Sequence, residues 1–263
     1  MPPTTEPDLT TVREAAEYLA SQPAGEMRPH QLAAFSGVDG ALSPAERQQF
    51  SDTWRAVGSP AAPAPAPAPS AGAGAVVMVR APYLSQRDSA TSQGDRMCYS
   101  STCAMAALAL KPGCLAGRGQ PDDQYLAIVQ RHGDTTDVAA QVAALRDLGI
   151  RARFRQDGSL AQILAQIRRG VTVPVGWLHK GPVSSPAGGG HWSLVVGWDP
   201  NKQQVIVHDP FGEADLPNGG YARLNSQWHP VAGREQRYSW KNWSPRWMAD
   251  GPSTGWWLDL SAM

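Results

Sequence analysis

Hydrophobic and polar positions divide this chain into a helical stretch followed by a strand-rich one. From Cys98 to Leu110 the segment CYSSTCAMAALAL carries no charge and is built of small and apolar residues, a composition that suits a helix buried nearly all round. Further helices are expected at 121–131, with Pro121 in the first turn, at 136–148, and at 159–169, where Gly170 supplies the stop. Short apolar runs then predict strands at 171–177, 191–198 and 204–208, and VVMVRAPYL before the first helix reads as a strand running into a loop at Gln86. Helices first and an antiparallel sheet second is an α+β arrangement, with the helix opened by Cys98 at its centre.

Residues 60–75, PAAPAPAPAPSAGAGA, alternate Ala with Pro and then turn to Ala and Gly. Such a composition holds an extended spacer and cannot bury a core, which makes it the expected domain boundary. Before it, Thr11 with Glu14 and Ser43 with Glu46 read as capping boxes, and Val12, Leu19, Phe50, Trp54 and Val57 recur at helical spacing. Residues 1–59 are therefore expected to form a small helical module, the linker to span 60–75, and the main domain to occupy 76–263.

Charge changes the picture by exclusion. Lys plus Arg and Asp plus Glu number 23 each, so the net charge is zero and no strong field draws the chain to nucleic acid or an anionic membrane. The N-terminus MPPTTEPDL lacks a basic and then apolar signal, and no run of about 18 apolar residues occurs, so the expectation is a protein made in the cytoplasm without an export signal. The three cysteines, Cys98, Cys103 and Cys114, show neither a CxxC pair nor a disulfide framework. No metal and no other cofactor is expected.

Four polar residues carry the candidate chemistry. Cys98 stands in the first turn of its helix, where unpaired N–H groups and the positive end of the helix dipole favour thiolate over thiol. Cys103, about 140 degrees further round, is expected to pack as a small hydrophobe, and Cys114 has no visible partner. His191 begins a strand after Gly188, Gly189 and Gly190, so its imidazole emerges at a strand end, and the glycines let the backbone approach a bound peptide; a core histidine satisfied by a carbonyl is the plainer alternative. His208 is a rival base, but alternation along VIVHD sends it and Asp209 to opposite faces, leaving Asp209 to meet His191 across a hairpin that turns at 199–202. Asp209 could equally be a turn former before Pro210. Gln86 offers a side-chain amide of the kind that stabilises an oxyanion. Gly190 and Trp192 are candidates for substrate contact, and Asp199 or Glu213 could meet a substrate amine. Six of the ten tryptophans lie between Trp228 and Trp257; most are expected to pack a tail against the sheet, with one or two free to line a cleft.

The segments PYLSQRDS, MCYSSTCAMAALAL, GGGHWSLVVGWD and HDPFGEADLPNGGY resemble, in that order, the C39-like peptidases, a branch of the papain-like cysteine peptidases. The resemblance runs from about Val76 to Leu260. It implies a papain-like fold, with Cys98 as nucleophile, His191 as general base and acid, Asp209 as its orienting partner and Gln86 as oxyanion donor. Gln86 lies farther ahead of the cysteine than in the leader-processing members, and no transporter domain follows. With the tail KNWSPRWMADGPSTGWW the likeness is nearest to C39-like proteins of bacteriophages, which implies an endolysin that cleaves peptide bonds in bacterial peptidoglycan. Residues 1–59 would then act as a wall-targeting or partner-binding arm, and the protein would reach the wall by holin-type release or as part of a virion. A protein-processing peptidase of leader-peptide or deubiquitinase type is the enzymatic alternative, and a non-catalytic virion or binding protein the alternative of another class.

Overall fold

The computed structural model describes residues 74–262; the helical module expected at 1–59 and most of the linker at 60–75 lie outside the described residues. In chain order the elements are β1 (Val77–Met78), α1 (Cys98–Leu110), α2 (Pro121–Val129), α3 (Val138–Asp147), β2 (Ile150–Gly158), α4 (Leu160–Arg168) and β3 (Val173–Trp177). There follow β4 (His191–Asp199), β5 (Gln204–His208), β6 (Gly212–Ala214), β7 (Tyr221–Leu224), β8 (Gln236–Ser239), α5 (Trp240–Trp247) and β9 (Gly255–Ala262). Six strands run in the order β2-β9-β3-β4-β5-β8, β1 adds to β4, and every pairing is antiparallel. The strands β6 and β7 form a separate ribbon. The fold class is thus α+β, as expected.

Helices cover both faces of the sheet, which the simple order of helices then sheet does not anticipate. On one face α1, α2 and α3 bury Tyr99, Met105, Tyr125 and Leu145 against Leu194, Val196 and Ile206. On the other, α4 and α5 bury Ile163, Trp243 and Trp247 against Val175, Val195 and Val207. Strand β4 lies between the two cores and is buried along its whole length, which is why WSLVVGW reads as a continuous apolar run and not as an alternation. Helix α1 is buried from Tyr99 to Ala107, because its small side chains let the neighbouring elements close on it from every side.

Several boundaries differ from expectation, two of them for identifiable reasons. The first strand shrinks to Val77–Met78, since β3 occupies the same edge of β4 as far as Val195 and leaves β1 only the stretch beyond it. Gly197 lies opposite Met78 there, and a Cβ on it would stand 2.6 Å from the Val77 carbonyl oxygen. Helix α3 starts later than Thr136 because the Asp137 carboxylate caps it, accepting from the Ala139 N–H at 2.8 Å. Helix α2 stops at Val129, two residues short of the expected end.

Strands β2 and β9 and helix α5 were not among the expected elements. In β2, Ile150, Ala152 and Phe154 alternate with exposed Arg151, Arg153 and Arg155, a period-two signal that suits an edge strand. The C-terminal segment does more than wrap the sheet, since β9 enters it between β2 and β3.

Candidate active site

The site forms where the start of α1 meets the ends of β4 and β5. No described side chain caps α1; the Met97 carbonyl accepts from the Ser101 N–H at 2.9 Å, and the N–H groups of the first turn point out of the helix. That end of the helix is fixed by buried polar side chains. Ser101 Oγ donates to Asp122 Oδ2 at 2.7 Å, Ser100 Oγ pairs with Thr135 Oγ1 at 2.8 Å, and Gln141 Nε2 donates to Ser100 Oγ at 2.8 Å. Cys98 is half-buried at the mouth of this helix, whereas Cys103 is wholly buried with its thiol pushed up by that burial.

His191 is paired with Trp177 across β3 and β4, and Leu194 is paired with His208 across β4 and β5. Continuing the second ladder by one residue puts Asp209 opposite Ser193 and diagonal to His191, within side-chain reach. His191 Nε2 and Asp209 Oδ1 are 2.9 Å apart, and both residues are buried, at 4% and 0% exposure. The Cys98 sulfur lies near enough to the same imidazole to favour its charge, and with Nε2 turned to Asp209 the ring nitrogen left for it is Nδ1. Burial works against charge on the ring, but the Asp209 carboxylate and the Cys98 sulfur together outweigh it and hold the His191 pKa up at about 10. At neutral pH the ring is therefore an imidazolium held between a carboxylate and a sulfur.

Gln86 enters the same neighbourhood through its backbone, whose N–H donates to the Pro210 carbonyl at 3.0 Å. Its side chain is buried, and Nε2 donates to the Gly94 carbonyl at 2.7 Å, so one amide hydrogen is engaged within the loop and the other remains for a second acceptor. Gly190 has φ +89°, a conformation open to glycine, and a Cβ there would meet nothing within 4 Å.

Other expectations at this site are corrected. The Trp192 ring stacks on Tyr99 with centroids 3.6 Å apart, on the face of β4 opposite His191, so it packs chiefly in the core with 9% of its surface exposed. Asp199 lies at the far end of β4 and closes the β4–β5 turn, accepting from the N–H groups of Asn201 and Lys202 at 3.0 and 3.2 Å. Glu213 faces Arg223 across the β6–β7 ribbon at 3.9 Å. His208 points away from Asp209, as alternation requires; its Nδ1 accepts from the Glu235 N–H at 3.1 Å and its Nε2 meets the Ala81 carbonyl at 3.3 Å, a neutral imidazole with both nitrogens used.

Residues that sequence reading passed over complete the surroundings. Rings of Trp177, His179 and Tyr221 lie 5.5, 5.5 and 5.8 Å from the His191 centroid. Burial, with the neighbouring His191, lowers the His179 pKa to about 4, so of the two close imidazoles only His191 carries charge at neutral pH. Arg246, itself buried, donates to the carbonyls of Leu178, Lys180, Gly181 and Leu216 at 2.6 to 3.1 Å and so braces the β3–β4 connection beside His179. Tyr221 and Arg246 lie within the segments HDPFGEADLPNGGY and KNWSPRWMADGPSTGWW, where no role was assigned to them, and Trp177 and His179 lie outside every quoted segment. Among the described residues, no three or more His, Cys, Asp or Glu side chains are grouped to hold a metal ion.

No known protein family matches this sequence, and no curated protein matches it. Solved structures with a similar chain trace include a double glycine motif protease from an AMS/PCAT transporter in complex with the leader peptide, 12% identical, covering 71% of this chain and 95% of that one with a TM-score of 0.40. The peptidase domain of Streptococcus ComA, a bifunctional ABC transporter, is 16% identical, with coverages of 64% and 93% and a TM-score of 0.40. A chain described as a C39-like peptidase from Bacillus anthracis is 12% identical, with coverages of 61% and 94% and a TM-score of 0.37. None of the three is described as a phage or cell-wall enzyme, so the expected closeness to phage lysins finds no support in them.

Proposed function

We propose that this protein is a cysteine peptidase that processes polypeptides. The observation that carries the reading is the buried His191–Asp209 pair at 2.9 Å, with the Cys98 sulfur at the start of α1 near enough to raise the pKa of the same imidazole. In the proposed reaction the Cys98 thiolate attacks a peptide carbonyl, and the carbonyl oxygen, now an oxyanion, is received by the Cys98 N–H and the free amide hydrogen of Gln86. Collapse breaks the C–N bond, and the Nδ1 proton of His191 passes to the departing amine. A water molecule then gives a proton back to His191 and adds to the thioester, releasing the acid and restoring the thiolate–imidazolium pair. Asp209 remains a carboxylate throughout and holds the ring.

The placement of most of the C-terminal tryptophans removes one argument for a cell-wall substrate. Trp243, Trp247 and Trp257 are buried in the second core, and Trp240 sets its edge on Trp198, so these rings support the fold and are not available as a sugar-stacking platform. Trp228, 79% exposed, is the feature that favours the alternative, peptidoglycan cleavage, because an exposed indole can stack on a sugar face. The test is to incubate wild-type protein and Cys98→Ala with unfolded protein substrates and, separately, with purified sacculi. Cysteine-dependent cleavage of the polypeptides alone supports the proposal. Release of muropeptides without polypeptide cleavage would move the substrate to the wall, and no Cys98-dependent hydrolysis of either would defeat the peptidase reading.

A further inference from the structure

Around Asp209 the chain builds a clamp that the catalytic reading does not use, and its centre is Asn225, buried at 1% exposure just after β7. All of the hydrogen-bonding groups of Asn225 are engaged. Its Nδ2 donates to Tyr83 Oη at 2.5 Å and to the Pro210 carbonyl at 2.9 Å, and its Oδ1 accepts from the Gly233 N–H at 3.2 Å. Its backbone N–H donates to the Phe211 carbonyl at 3.0 Å, and its own carbonyl accepts from Arg87 Nε at 2.9 Å.

The partners of Asn225 in turn hold the two halves of the site. Tyr83 Oη donates to the Asp209 carbonyl at 2.8 Å, and burial keeps that phenol in its neutral, donating form by raising its pKa. The Gly233 carbonyl accepts from the Asp209 N–H at 2.8 Å, so both backbone groups of Asp209 are gripped by residues bonded to Asn225. The Pro210 carbonyl that Asn225 engages is the same one that receives the Gln86 N–H at 3.0 Å. Arg87, next to Gln86, lays its guanidinium over the Phe211 ring at 4.9 Å while donating to Asn225. Gly233 leaves no room for slack: a Cβ there would stand 1.9 Å from the Asp209 carbonyl oxygen.

We infer that Asn225, with Tyr83 as its agent, is a positioning residue that fixes the Asp209 carboxylate against His191 and sets the Gln86 loop in register with it. The inference rests on the catalytic reading given above. A purely structural residue would affect stability and leave the chemistry of the remaining folded molecules unchanged. A positioning residue alters the chemistry itself: if Asp209 Oδ1 is free to move from the ring, the imidazolium loses stabilisation and His191 gives up its proton at lower pH. Placement errors on this scale also reduce kcat more than they raise KM.

The experiment compares wild-type full-length protein with Tyr83→Phe and Asn225→Ala. Cys98 alkylation by iodoacetamide is followed by peptide mass spectrometry between about pH 4 and pH 10, beside kcat and KM on a polypeptide substrate. Tyr83→Phe removes one hydroxyl and keeps the ring, so it decides the matter if Asn225→Ala does not fold. The expected result is an alkaline limb displaced downward by about one pH unit and kcat reduced about tenfold with KM changed less than about threefold, in protein whose circular dichroism is that of wild type. Profiles and kcat indistinguishable from wild type in Tyr83→Phe overturn the inference. An ordinary free-thiol profile in the wild-type protein itself would overturn the catalytic reading, and the inference with it, which keeps the two failures apart.

Discussion

His191 shows how a single residue acquires its chemistry from its neighbours. Alone its imidazole would titrate near 6.5, and burial would push it lower; the carboxylate and the sulfur on its two sides reverse the sign and take it to about 10. Because the folded pKa lies above the unfolded one, the stabilisation from this group is complete below about pH 6.5 and is lost as pH rises through about 10. A melting-temperature series between those limits should decline toward the alkaline end in wild type, and Asp209→Asn should flatten that decline. The two buried-helix cysteines provide a second check. Cys98→Ser should abolish turnover while leaving the circular dichroism of the folded protein that of wild type, whereas Cys103→Ser should keep most turnover and lose about 1–2 kcal/mol in urea unfolding, because a hydroxyl replaces an apolar thiol in a fully buried site. At this scale the residue types were readable in advance, since a cysteine at a helix start, a histidine opening a strand and an Asp-Pro strand end are local signals. Trp192 was misread because one position of alternation separates a residue facing the site from one facing the core.

Elements hold these residues in place, and their energetics come from packing and buried polar contacts. Asp122 sits under the start of α1 at 1% exposure, and burial raises its pKa from 3.8 to about 6 even though Ser101 donates to it. A carboxyl whose folded pKa is raised favours the folded state less as pH climbs from about 4 through 6, so Asp122→Asn should stabilise the protein at pH 7.5 by about 1–2 kcal/mol while keeping the Ser101 bond, measured by urea unfolding. On the opposite face, Trp243 and Trp247 stack at 5.0 Å and dock α5 on the sheet. Trp243→Ala should cost about 3–5 kcal/mol, read as a lower midpoint in the same measurement. Uncharged α1 and the apolar β4 were legible as elements because their composition is extreme. The short β6–β7 ribbon was not, because GEA and YARL carry too few residues to show a period.

For the molecule as a whole, connectivity matters more than composition. Strand β9 enters the sheet between β2 and β3, so residues 255–262 form an interior strand and not an appendage. Truncation after Asp250 should therefore unfold the domain and not merely trim it, with loss of the far-ultraviolet circular dichroism of the sheet; a soluble truncated protein with native dichroism would contradict the topology. What the sequence determined alone was whatever depends on near neighbours in the chain: the buried helix, the strand run, the helix-start thiol and the absence of net charge. The approach of Cys98 to the His191–Asp209 pair, the grip of Tyr83 and Gly233 on the backbone of Asp209, and the insertion of β9 were decided by the tertiary structure. Each joins segments distant along the chain, whose meeting depends on which edges and faces remain open once the local elements have packed, and no periodicity within one segment records that outcome.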